Sequence, residues 1–243
     1  MFNLRKGLPI GAITWGAGAI GQASTSTLIN DLRGRFSGKD SGRADWQIDA
    51  GAHTIEAVAL KLKEFVYSEC YVPTFGSWPS KPSLGFVVAG YSSGAGLAEE
   101  CRIDIDAKGD CRGPNIVRPL DQCGLTWNGE PEAISRLVLG HSPDLSAVLE
   151  KQLGVPQAQI PTAMQIITQQ LQAQVIIDSM PIQDAIDLAC FLVDMTEKYS
   201  RYTPGAVTVG GPIEIAVITK HEGFKWVDRK YYFERELNPE DSQ

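Results

Sequence analysis

The chain has 243 residues, 43% apolar and 21% charged, an ordinary soluble composition with core enough for one large domain. A formal charge of -7 and a pI near 5.0 give no electrostatic footing for nucleic acid or an anionic membrane, both of which are held by basic residues. No apolar run approaches the roughly 20 residues of a membrane span, and the first residues lack the basic head and apolar segment of a secretion signal, so a cytoplasmic protein is expected.

Residues 8–15, LPIGAITW, read as a strand, followed by the glycine turn GAGAIG and the hydroxyl run Ser24-Thr25-Ser26-Thr27, any of which can cap a helix. That helix carries Leu28, Ile29, Leu32 and Phe36 at helical spacing. Residues 37–52, rich in Gly, Ser and Asp, form a loop, and Ile55, Val58, Leu62 and Phe65 mark a second amphipathic helix. Residues 71–82, with Pro73 and Pro82, read as a surface insertion.

From Leu84 the period changes to two. LGFVVAGY is a buried-type strand, and Cys101, Ile103 and Ile105 alternate with Arg102, Asp104 and Asp106 up to a turn at 107–110. A further strand is expected at 124–127, leading into a helix opened by Pro131, carried by Ile134, Leu137 and Val138 and stopped by Gly140. Residues 143–200 are mainly helical, with Pro156, Pro161 and Pro181 as breaks. A hairpin closes the chain: Ile213, Ile215 and Val217 on one face, a turn at 220–223, then FKWV, with 229–243 as a solvated tail. The order is α+β within a single domain over 1–243, without β-α-β repetition.

Gly16, Gly18 and Gly21 have the spacing G-x-G-x-x-G, which after a strand and before a helix can cradle a dinucleotide pyrophosphate. An NAD(P)-binding oxidoreductase is therefore one reading. It needs a second strand ending in an acid about 20 residues on; residues 36–46, FSGKDSGRADW, hold Asp40 and Asp45 but no strand-like run.

PIEIAVITKHEGFKWV (212–227) resembles the closing hairpin of proteasome β-type subunits, and MPIQDAIDLACFLVDMTEKY (180–199) the helix before it. LTWNGEPEAISRLVLG (125–140) and SLGFVVAGYSSGAGLAEECRIDIDAKGD (83–110) are similar to that family's strand-to-helix junction and central hairpin. The opening strand, turn and helix match its first long helix and the turn before it. The resemblance implies an N-terminal-nucleophile hydrolase fold, a four-layer αββα sandwich, here N-terminally incomplete, that cleaves peptide or amide bonds.

In that family a threonine at the mature N-terminus attacks, with its own α-amino group, of pKa about 8, as base. An acid and a lysine from the first hairpin assist, and a backbone N–H of the glycine turn stabilises the oxyanion. The resemblance carries this last role to Gly18, with Gly16 as the second candidate because extra residues in the turn blur the register. MFNL resembles the strand just after the family's lysine, so nucleophile, acid and lysine would lie upstream of Met1. The chain as given is expected to lack a nucleophile and to be inactive. Glu130 stands where the family has a serine, and 206–211, AVTVGG, where it has an Asp and a Ser.

A second reading is a non-catalytic, ring-forming structural subunit. Both imply a homo-oligomeric ring, the first also a peptide or unfolded-protein substrate, and neither requires a cofactor or a metal. Asp104, Asp106 and Asp110 lack the terminal glutamate of a calcium loop and read as a polar hairpin. Cys70, Cys101, Cys111, Cys123 and Cys190 form no C-x-x-C and read as reduced thiols. His141 reads as a helix-end cation, and Trp127 and Trp226 as packing residues.

Overall fold

A computed structural model describes residues 1–205 and 209–230. Where the sequence suggests one domain, the contacts fall into two compact units, one of Met1–Gln122 with Glu214–Arg229 and one built on Cys123–Ile213. Both are mixtures of helix and irregular chain, and the first adds antiparallel sheet. Most of the expected tail 229–243 lies outside the described residues.

The first unit is organised by a five-stranded antiparallel sheet. It consists of β1 (Phe2–Asn3), β2 (Ile10–Gly16), β5 (Leu84–Gly90), β6 (Glu99–Ile105) and β7 (Cys111–Ile116), in that spatial order. Between β2 and β5 the chain makes a small hairpin, β3 (Ala19–Ile20) with β4 (Ala23–Ser24), then α1 (Thr25–Phe36), α2 (Ile55–Lys63) and α3 (Val72–Phe75).

Alternation along the strands fixes which residues meet the helices. In register, Ala12 pairs with Val88 and Val88 with Cys101, while Thr14 pairs with Phe86 and Phe86 with Ile103. Ile10, Leu84, Phe86, Val88, Cys101, Ile103 and Ile105 are buried in one cluster with Leu28, Ile29, Leu32 and Phe36 of α1 and Ile55, Val58, Ala59 and Leu62 of α2. Fully burying one such side chain contributes about 1.5–3 kcal/mol.

The opposite face of the sheet takes the closing hairpin, β8 (Ile215–Thr219) with β9 (Gly223–Asp228). Gly11 makes that approach possible. A Cβ added to it would lie 2.8 Å from Phe224 and 2.9 Å from Ile218, two residues paired across the hairpin. Helices, sheet and hairpin are thus three successive layers of the first unit. Further along the same face, the Trp15 ring occupies the space that a Cβ on Gly85 would need, with the Arg102 guanidinium 5.2 Å from the ring centroid and bonded bidentately to Asp104.

Three expectations are corrected. Residues 71–82 are not a surface insertion throughout, because α2 runs on through wide π-type turns over Glu64–Tyr71 into α3, and Tyr71 and Phe75 are buried in the core. Pro73 falls within the first two positions of α3, just after the widened turns, where its missing N–H costs least. Residues 124–127 form no strand, having no ladder partner among the described residues. Pro161 is not a break but opens α6, at a first-turn position that tolerates it.

The second unit is helical: α4 (Glu132–Val138), α5 (Leu145–Lys151), α6 (Ile160–Leu171) and α7 (Ile182–Tyr202). Its core is small. Ile134, Val138 and Leu192 are buried together, flanked by Leu125, Trp127, Val175, Leu188 and Met195. Trp127 donates to the Ser135 hydroxyl at 3.1 Å, so it packs as expected, and Gly140 ends α4 at φ +78°.

Candidate functional site

The candidate site is the turn that leaves β2. Gly16 has φ +87°, and a Cβ there would collide with the Ser83 carbonyl, so glycine is required by both the backbone and the neighbouring strand. Ala17 donates its N–H to the same Ser83 carbonyl at 2.9 Å. Gly18 follows, exposed, with nothing within 4 Å of where its Cβ would be.

Gly18 has its carbonyl held by the Thr25 N–H at 2.9 Å, while its own N–H meets no protein acceptor among the described residues. Such a donor can bind an oxyanion. Gly21, at φ +60°, makes the turn of the β3–β4 hairpin. No side chain of residues 16–25 is ionisable, so the local potential comes from peptide dipoles and the start of α1.

The hydroxyls of Ser24, Thr25 and Thr14 beside the turn are engaged in structure. Ser24 is the N-cap of α1, accepting from the Thr27 N–H at 3.1 Å, and its oxygen lies 2.9 Å from the Thr27 hydroxyl. Thr25, buried, donates to the Ala17 carbonyl at 3.1 Å. Thr14 donates to the Gly85 carbonyl at 3.0 Å.

A dinucleotide cradle needs a parallel sheet and free N–H groups at the helix start. Here both neighbours of β2 run antiparallel, a hairpin separates the first glycine from the helix, and Ser24 already satisfies one of the N–H groups. The stretch holding Asp40 and Asp45 forms a short 3₁₀ turn, Ser41–Trp46, in place of a second strand.

The other sequence candidates separate into structural roles. Asp106 accepts from the backbone N–H groups of Lys108 and Asp110, which with nearby Arg112 hold its carboxyl below the ordinary value, and Asp104 is bonded to Arg102. The polar hairpin is as expected. Among the described residues no three His, Cys, Asp or Glu side chains gather as metal ligands. Cys101 is buried, and burial holds its thiol above the usual range.

His141 does more than end a helix. Its Nδ1 lies 2.9 Å from the Ser142 carbonyl, so in the neutral ring Nδ1 carries the proton and Nε2 accepts from the Thr168 hydroxyl at 3.0 Å, tying the α4 end to α6. Glu130 is exposed. Of 206–211, residues 206–208 lie outside the described residues.

Sequence reasoning missed Thr25. The run Ser24-Thr25-Ser26-Thr27 announces a cap, yet which hydroxyl caps and which turns back to Ala17 depends on how β4 enters α1. No helix among the described residues is long and apolar enough to cross a membrane. The chain matches no family model, no curated protein and no solved structure.

Proposed function

We propose that the chain carries the scaffold and the oxyanion donor of a proteasome-type N-terminal-nucleophile hydrolase, acting on peptide or amide bonds, with the Gly18 N–H as donor. The observation that carries this reading is the layering of the first unit. Helices α1 and α2 cover one face of the antiparallel sheet, the closing hairpin packs on the other at Gly11, and an N–H with no acceptor among the described residues lies in the glycine turn where β2 ends. These would be three layers of the αββα sandwich. The hydroxyls of Thr14, Ser24 and Thr25 hold backbone or cap a helix, so none is offered as the attacking group.

The second reading, a non-catalytic ring-forming subunit, is favoured by the surface of the second unit. Ile166, Leu171, Ile182 and Phe191 are each more than half exposed, on helices that a globular chain would be expected to cover.

The two readings separate in one experiment. A peptide phosphonate, an anionic tetrahedral mimic of the hydrolytic intermediate, is titrated into ¹⁵N-labelled protein while turnover of fluorogenic peptide amides is measured. The hydrolase scaffold predicts a saturable shift of the Gly18 amide without turnover, since no hydroxyl beside the turn is offered as the attacking group. An unmoved Gly18 amide at millimolar phosphonate overturns the oxyanion assignment and leaves the non-catalytic subunit, and turnover by the chain overturns the expectation that it lacks a nucleophile.

A further inference from the structure

We infer that Thr25 is the positioning residue for the Gly18 N–H: its buried hydroxyl sets the peptide plane that aims the donor. The inference rests on the oxyanion reading for its functional meaning, and on hydrogen-bond geometry alone for its structural content.

A peptide unit is planar and trans, so its C=O and N–H point in opposite directions, and fixing one fixes the other. The N–H of Gly18 shares its plane with the carbonyl of Ala17. That carbonyl receives the Thr25 hydroxyl at 3.1 Å. The next plane is held by the same residue, since the Thr25 N–H bonds the Gly18 carbonyl at 2.9 Å. The preceding plane is held from β5's side, by the Ala17 N–H on the Ser83 carbonyl at 2.9 Å.

Three consecutive planes are therefore pinned around one residue that has no side chain to restrain itself. Glycine left alone samples both signs of φ; here the two planes flanking Gly18 are both fastened to Thr25, the first residue of α1. Burial strengthens the restraint. Thr25 is 6% exposed, so water does not compete freely for the Ala17 carbonyl. A helix-capping role does not account for this bond, because Ser24 is the cap and the Thr25 hydroxyl points back into the turn.

The test compares wild type with Thr25→Val, which keeps the shape and deletes the hydroxyl, and Thr25→Ser, which keeps the hydroxyl. Backbone ¹⁵N relaxation is read at Gly18, with Leu32 of α1 as the control for folding. In wild type and Thr25→Ser the Gly18 order parameter is expected near that of rigid backbone, about 0.85, and in Thr25→Val below about 0.6, with Leu32 unchanged. Phosphonate affinity falls at least 10-fold in Thr25→Val and is restored in Thr25→Ser.

A Gly18 order parameter that is the same in Thr25→Val as in wild type overturns the inference, even if the variant melts at lower temperature. Should Thr25→Val not fold, Thr25→Ala is measured in the same way. If wild type binds no phosphonate, the oxyanion reading fails, while the relaxation data still decide whether Thr25 orders the turn.

Discussion

At the scale of single residues, the three glycines of the opening turn are not equivalent, and substitution distinguishes them. Gly16→Ala forces a Cβ into the Ser83 carbonyl at a positive φ, and is expected to destabilise the protein by about 2–3 kcal/mol or more in urea unfolding. Gly18→Ala meets open space and should stay within about 0.5 kcal/mol of wild type. Equal losses at the two positions would mean the turn is built differently. The spacing of the glycines was readable from the sequence. Their inequality was not, because it depends on Ser83, which only the pairing of Gly16 with Leu84 brings alongside. The thiols give a second prediction. Burial raises Cys70, Cys101 and Cys111, and thiolate is the reacting form, whereas Cys123 is exposed. Timed iodoacetamide labelling read by mass spectrometry should modify Cys123 first and Cys101 last; labelling of Cys101 at the rate of Cys123 in folded protein would contradict its burial.

At the scale of elements, β5, β6 and the helix α1 were legible, β5 as a short continuous apolar run and β6 and α1 by apolar periods of two and 3.6. The start of the second helix was legible from Ile55, Val58, Leu62 and Phe65, but its continuation to Phe75 was not. Pro73 punctuates the sequence, but the chain widens its turns before that proline, and aromatic burial of Tyr71 and Phe75 outweighs the local signal. What secures this helix laterally is Glu69, which accepts from Arg35 at 2.7 Å and Arg43 at 3.0 Å while Arg35 lies over the rings of Trp46 and Phe65. Glu69→Ala leaves the shielded Arg35 with only its longer contact to Asp40, at 3.9 Å, and a loss of about 1–3 kcal/mol is expected in denaturant unfolding. A change under about 0.5 kcal/mol would show the pair to be incidental. The β6–β7 hairpin carries a pH dependence through Asp106. The N–H groups of Asp110 and Lys108 hold its carboxyl below the ordinary 3.8, so its stabilising effect is present when ionised and is withdrawn as pH falls through that lowered value. Amides of β6 and β7 should lose exchange protection, relative to those of β5, only below about pH 4; uniform loss across the sheet would remove Asp106 as the cause.

At the scale of the whole molecule, the order of elements could be read in the sequence, while the division into two units and the thin core of the second could not. The reason is visible in α6 and α7. Their apolar residues have helical spacing and so promise burial, yet α6 has no fully buried residue and α7 only Leu192 and Thr196. Periodicity reports that a face is apolar and is silent about what covers it. If the cover is another copy of the chain, as ring assembly requires, then charge placed on that face should disperse the assembly without unfolding the helices. Phe191→Glu and Ile166→Glu, both at positions more than half exposed in the single chain, are expected to weaken association at least 100-fold, the effect of losing about 3 kcal/mol at an interface anchor. Sedimentation equilibrium over a wide concentration range gives the mass, and far-ultraviolet circular dichroism checks that helix content is kept. A wild-type protein that sediments as a single chain of 26.4 kDa at tens of micromolar would sink ring assembly. A wild-type oligomer unaffected by either substitution would keep assembly but move the interface away from α6 and α7.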